Sequence, residues 1–463
     1  MTAAARAARR PDRRRLTPRG EGLEDRQLLY ATLGGQWALP ARVTYSFAPD
    51  GADIGGVPNA LGARMASLGY ADSAWKDEFR KAAAAWGAQA NVNLVEVPDD
   101  GSPFGAPGNQ QGDARFGDIR IGGIAQAPTT LAVAFDPPPL NGGSLAGDIV
   151  MNPDLAWRIG GNYDLRTVAT HEFGHALGLD HSSQTFAAMF ANYNGVKTTL
   201  NADDVAGIQA LYGARQADAY EPNNGLSTVT NLNGLIGGNL QLSLSGLDIT
   251  TSNDTDWFTV VVPAGTTGAM TVRMQSAGLS SLSPRVVVYT FNNGILNGLG
   301  QDSRPNTYGS TASFVVSGVV PGQRYYIRTM AAASGITGAG AYALQVNFGN
   351  APQAPAAPPI TTVPAQPDQG GGSTGLSGRG RPRRGAGGDD RVMSLGGLTG
   401  TGDCYLTPAA PRPGPPWLAA AGLAMAAEPA PPAAEAAATA PARRAARAAE
   451  LLDLALDAWD LDA

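Results

Sequence analysis

Every histidine of this 463-residue chain, His171, His175 and His181, lies in one short string, THEFGHALGLDH. An α-helix turns once per 3.6 residues, so His171 and His175 stack on one face, a turn apart. Two imidazole nitrogens placed in this way reach one small cation. Glu172 projects at a neighbouring angle and can touch a water on that cation without coordinating it. This His-Glu-x-x-His spacing holds zinc beside a glutamate general base. A third protein ligand leaves one tetrahedral position open for water. A continuing helix would carry the chain away, but Gly178 enters the left-handed region without a Cβ clash, and His181 can come back underneath. Leu177 and Leu179 flank that glycine and pack inward. Three neutral imidazoles with an open position suit Zn2+, a borderline-soft and redox-inert ion.

Several elements must position this string. The ligand helix starts at Asp164, an N-cap, and runs through LRTVATHEFGHALGL. A helix over 71–90 puts Trp75, Phe79, Ala83 and Trp86 on one stripe, with Asp72 or Ser73 as its cap. A third helix, NADDVAGIQALYG, has Asn201 as cap and Gly213 as stop. Strand patterns lie at 41–48, 92–97, 118–123, 130–135 and 147–152. Strands and a long helix followed by two helices indicate an α+β or mixed α/β unit. Beyond it, strand runs at 256–265, 268–276, 284–291, 312–322, 323–330 and 341–348 are bounded by Gly, Pro, Asn or Ser, which predicts an all-β sandwich.

The chain therefore divides into an Arg-rich leader (1–36), an α+β unit (37–214), a β-sandwich (217–348) and a Pro/Ala/Gly-rich tail (349–463). The tail carries a possible terminal helix with Leu452, Leu456 and Trp459 on one stripe. Sixty glycines, 34 prolines and only 16% charged residues fit β-rich units joined by low-complexity segments. A net charge of −6 gives no global field for nucleic acid. No run of about 18 apolar residues exists to span a bilayer. Cys404, the sole cysteine, allows no intrachain disulfide.

The string His171-Glu172-x-x-His175-x-x-Gly178-x-x-His181, followed by Met189, resembles the metzincin signature. Ser182 after the third histidine, and the helix at 200–213, make 37–214 similar to the matrixin branch, the family of the matrix metalloproteinases. The resemblance implies a twisted mixed sheet with a long active-site helix and a methionine floor under the imidazoles at Met189, supported from behind by Asp203 or Asp204. It also implies a substrate edge at Leu131, Ala132, Val133 and Ala134 that pairs antiparallel with a polypeptide. Val133 and Val150 stand where vertebrate relatives carry histidines for a structural zinc, so one zinc is expected. Asp118, Asp148 or backbone carbonyls are candidate Ca2+ ligands, with no loop motif behind them. With DAYEPNN at 218–224, NDTDWFTVVVPAG at 253–265 and the closing runs GQRYYIRTM and GAYALQVNF, residues 217–348 resemble the bacterial pre-peptidase C-terminal domain, in which Asp254 and Asp256 would bind calcium or cap a turn.

The implied activity is that of a zinc metalloendopeptidase with Glu172 as general base. A surface adhesin keeping a structural zinc is the alternative, against which Glu172 argues, because a structural site needs no base. A second alternative is a metzincin outside the matrixins, with Tyr193 as a further ligand. LEDRQLL at 23–29 resembles a segment near the start of large secreted or surface proteins of some bacteria, which implies a place outside the cell or at its surface; a short amphipathic N-terminal helix is the alternative reading.

Overall fold

The computed structural model describes residues 30–359, 362–364 and 403–405. The leader up to residue 29 and the terminal stripe of Leu452, Leu456 and Trp459 lie outside the described residues.

The first unit is built on strands β1 (Val43–Phe47), β4 (Leu94–Glu96), β5 (Ile119–Gly123), β6 (Thr130–Ala134) and β7 (Ile149–Met151), with a small hairpin of β2 (Asp53–Ile54) and β3 (Val57–Pro58). Together with a far segment, β17 (Asp403–Tyr405), the larger sheet runs β17-β6-β7-β5-β1-β4. The pairs β4–β1, β1–β5 and β5–β7 are parallel, whereas β6 lies antiparallel to β7. Helices α1 (Leu61–Ser67), α2 (Asp72–Gly87), α3 (Leu165–Ala176) and α4 (Ala202–Tyr212) complete an α+β fold with a mixed sheet.

The predicted stripe of α2 is buried: Trp75 is 3%, Phe79 0%, Ala83 0% and Trp86 0% exposed. Phe47 meets Trp75 and Phe79 edge to face, and Tyr45 meets Phe173 of α3 in the same way. Such pairs add to the large apolar area that aromatic rings remove from water. The cap of α2 is Ala71, with no side-chain cap bond, and not Asp72 or Ser73. Asp72 is already within the first turn and pairs with Lys76 at 2.7 Å, where its charge also suits the helix dipole. Asp164 does cap α3, accepting from the backbone of Thr167. Asn201 caps α4 in a box closed by Asp204, and Gly213 ends it. Helix α1 is absent from the sequence reading because it is short, and only Leu61 and Met65 mark its buried side.

The second unit contains β8 (Thr230–Asn231), β9 (Gln241–Ile249), β10 (Thr255–Val261), β11 (Ala269–Gln275), β12 (Pro284–Asn292), β13 (Ile295–Ser303), β14 (Thr311–Ser317), β15 (Arg324–Ala331) and β16 (Gly340–Asn347). One sheet runs β13-β12-β15-β10-β8 and the other β14-β11-β16-β9. Phe258, Val288 and Ile327 from the first share a core with Val272, Leu344 and Val346 from the second. Strand β9 escapes an alternation search because its buried set changes phase, from Leu242 and Leu244 to Leu247 and Ile249. The change falls at Gly246, which has φ +75°, beside an irregularity in the register with β16.

The two units touch through Arg42, which donates to the Gly278 carbonyl at 2.9 Å, and Ser281, which donates to the Leu94 carbonyl at 3.1 Å. Arg215, just after α4, donates to the Gly87 carbonyl at 3.1 Å and approaches Asp248 of β9.

Candidate metal centre

Helix α3 carries His171 and His175 as the spacing requires, and both are buried, at 3% and 0% exposed. Its position is fixed by indole donors from two directions. Trp86 Nε1 bonds to the Thr170 carbonyl at 2.9 Å, and Trp37 Nε1 bonds to the Ala176 carbonyl at 2.9 Å.

The turn after α3 depends on Gly178, whose φ of +104° is left-handed. A Cβ there would also lie 2.2 Å from the Gly35 carbonyl oxygen. Both the backbone angle and the space therefore demand glycine. The turn is closed by Gly178 N donating to His175 O at 2.8 Å and Leu179 N donating to Gly174 O at 2.9 Å. His181 then lies beside the other two rings: its centroid is 5.3 Å from that of His171 and 4.8 Å from that of His175.

Three ring nitrogens converge. His175 Nε2 is 3.0 Å from His171 Nε2 and 3.3 Å from His181 Nε2. His171 Nδ1 faces the Ala188 carbonyl at 2.8 Å, and His175 Nδ1 faces the Leu179 carbonyl at 2.8 Å. A carbonyl accepts only, so in both rings Nδ1 carries the proton and Nε2 offers its lone pair. Burial lowers the pKa of all three rings, and their mutual repulsion lowers it further for His171 and for His175, which falls to about 4. Neutral rings with lone pairs aimed at one point repel each other unless a cation sits there. Ligands about 2.05 Å from a tetrahedral Zn2+ stand about 3.3 Å apart, close to the spacing found here. The donor set fits zinc.

Glu172, 0% exposed, lies on α3 next to His171. Met189 is 2% exposed, and a Cβ at residue 174 would lie 2.2 Å from its sulfur. The methionine therefore packs against α3 between the two helical ligands. Behind it, Asp204 accepts from the backbone of Ala188 at 2.8 Å and Met189 at 3.1 Å, and Asp203 accepts from the Ser182 hydroxyl. Both acids brace this turn. The necessity of Gly174 is missing from the sequence reading, because the need for a bare backbone there shows only once Met189 is placed.

Tyr193 is engaged elsewhere: its hydroxyl donates to the Gly161 carbonyl and accepts from Asp164 N, at the start of α3. Beside His171 lies a pocket of about 10 Å³, lined in part by Thr167, Val168, Phe190, Tyr193 and Lys197.

Strand β6 contains the expected substrate edge. Ala132, Val133 and Ala134 pair with β7 on one side, and Leu131, Ala132 and Ala134 are buried. The other side of β6 is paired with Asp403–Tyr405 of the same chain.

Asp118 and Asp148, the candidate calcium ligands of this unit, are engaged with backbone donors. Asp118 accepts from the backbone of Thr44 and Gly112, and Asp148 accepts from Arg120 N. Neither belongs to a group of three metal-ligating side chains among the described residues. Asp118 thereby ties β1 and the loop at Gly112 to the start of β5, and Asp148 ties the start of β7 to β5. Asp254 and Asp256 do gather with Glu221, their ligand atoms within 4.8 Å of one another. Asp254 also caps its turn, accepting from Thr250 N at 2.8 Å.

Comparison with known proteins matches residues 68–213 to the matrixin family. Karilysin from Tannerella forsythia is 39% identical over 130 residues, which cover 27% of this chain and 27% of karilysin. Matrix metalloproteinase-20 from Homo sapiens is 46% identical over 97 residues, covering 20% of this chain and 19% of that protein. Hatching enzyme from Paracentrotus lividus is 33% identical over 212 residues, 44% of this chain and 29% of that protein. The chain thus spans less than a third of the length of each of these relatives. Three histidines around one point, a glycine turn after them and Met189 packed against their helix all lie within the segment 68–213 that matches the matrixin family.

Proposed function

We propose that the chain is a zinc-dependent metalloendopeptidase that hydrolyses polypeptides. The observation that carries the reading is the convergence of three neutral imidazoles on one point next to a buried glutamate. His171, His175 and His181 would hold the metal. Zinc bound there would supply a Lewis acid that acidifies a water and polarises the substrate carbonyl. Glu172 takes the proton of the attacking water and hands it to the leaving amine. Gly178 aims the third ligand, and Met189 supports the site from below. Leu131, Ala132, Val133 and Ala134 present the edge on which a substrate backbone adds as an antiparallel strand.

The reading extends to the rest of the chain. Residues 37–214 form the catalytic domain and 1–36 a leader. Residues 217–348 form a β-sandwich of the pre-peptidase C-terminal kind, and 349–463 form a tail. Glu221, Asp254 and Asp256 are the candidate Ca2+ ligands. The chain works outside the cell or at a bacterial surface. The test is zinc stoichiometry on purified full-length protein, together with chelator-sensitive cleavage of casein or gelatin. One zinc per chain and cleavage that stops with chelator are expected. Failure to take up zinc, or cleavage indifferent to chelator, rejects the assignment.

A further inference from the structure

The unpaired edge of β6 has an occupant from its own chain. Asp403 stands opposite Val133, Cys404 opposite Ala132 and Tyr405 opposite Thr130, antiparallel to β6. That is the place, and the strand sense, in which a polypeptide substrate would add to the sheet. Helix α3, with its histidines, packs against the same strand.

A second observation shows that the C-terminal region is led to this unit. After the last strand of the second unit the chain returns to the first, where Val363 N donates to Gln111 O at 2.9 Å and Gln110 N donates to Val363 O at 2.9 Å. Residue 111 lies in the first unit, and the Gln110 side chain donates to Asn141 O, in the connection that follows β6. The stretch 364–402 has a contour of more than 100 Å at about 3.3 Å per residue, ample to reach β6 from Val363. A segment tethered in this way meets its site at an effective concentration on the order of millimolar. An external substrate must compete with that.

We propose that the segment around Asp403–Tyr405 is the first substrate of the enzyme, bound in cis and cut there. The proposal rests on the metalloendopeptidase reading. The step is a hydrolysis: the scissile C–N bond breaks and the carbonyl carbon gains the water's hydroxyl. The remaining proton passes through Glu172 to the leaving amine. No electron is transferred and no co-reactant other than water is consumed. Removal of the tail then opens the edge of β6 to other polypeptides.

The test uses the full-length chain loaded with zinc, followed by intact-mass and N-terminal analysis, with cleavage of an unrelated peptide measured in the same samples. A new N-terminus within about five residues of Cys404 is expected, released at a first-order rate that stays constant over a tenfold range of protein concentration. Glu172→Gln should keep its tail. Cys404→Pro, whose ring fixes φ and leaves no N–H for strand pairing, should slow release at least tenfold, whereas Cys404→Ser should stay within twofold. An intact tail in samples that cut the unrelated peptide overturns the inference and leaves the protease reading standing. So does a release rate proportional to protein concentration. Loss of both activities overturns the protease reading itself, and the inference with it.

Discussion

The sulfur of Met189 rests on the bare backbone of Gly174, between His171 and His175 of α3. A Cβ at residue 174 would stand 2.2 Å from that sulfur and 3.0 Å from the Trp86 ring. Gly174→Ala therefore forces Met189 off its place. Overpacking of this kind costs on the order of 1–3 kcal/mol, and here the displaced group is the floor of the proposed metal site. Thermal unfolding of the zinc-free protein should report that loss, and zinc titration should show weaker binding than in the wild type. In Gly174→Ala/Met189→Ala the clash with the sulfur is gone and only the tight contact with Trp86 remains, so the two losses should fall short of additivity. Additive losses would show that the sulfur and the glycine do not act on each other.

Glu172→Gln separates binding from chemistry. The amide keeps the shape of the side chain but cannot take a proton from water. Zinc stoichiometry should be unchanged, while peptide turnover falls by about 10²-fold to 10⁴-fold, the usual contribution of a general base. Near-normal turnover in a zinc-replete sample would remove Glu172 from its role. His181→Ala should do the opposite first: two ligands remain, and the metal should be lost to a chelator far faster than from the wild type.

Asp204 is a single carboxylate holding two backbone donors, those of Ala188 and Met189, and it also closes the cap of α4. Asp204→Ala leaves buried N–H groups without acceptors, at about 1–3 kcal/mol for each one left unsatisfied. Since the Ala188 carbonyl also orients His171, zinc affinity should fall together with stability. A variant that is destabilised but binds zinc at full strength would show that the brace acts on the fold alone.

The metal centre was legible because its geometry is local. One helical turn and one glycine determine where three side chains meet, and residues 171–181 contain all of that information. The N-caps at Asp164 and Asn201 were legible for the same reason. The cap of α2 was not, since Asp72 serves equally well one position later as an ion-pair partner of Lys76. Helix α1 and strand β9 were missed where the apolar pattern is too short or changes phase at a bulge. The fit of Gly174 under Met189 and the pairing of Asp403–Tyr405 with β6 join residues far apart in the chain. No periodicity encodes such contacts.

Arg215 and Asp248 tie the two units together, and their chemistry sets a pH dependence. Their charged atoms are 3.1 Å apart, yet burial outweighs attraction, and the Asp248 pKa rises to about 7 despite the guanidinium. The folded state therefore binds a proton more tightly than the unfolded chain, whose carboxyl titrates near the ordinary 3.8. Stability from this group is fully present below about pH 4, and it declines as pH rises toward 7. Asp248→Asn removes the titration, so the wild type's stability relative to Asp248→Asn should fall between about pH 4 and 7 and be flat above. Urea unfolding of both proteins across that range measures the difference. A constant difference, or one that grows with pH, would show that Asp248 is charged in the folded protein and that the ion pair prevails over its burial.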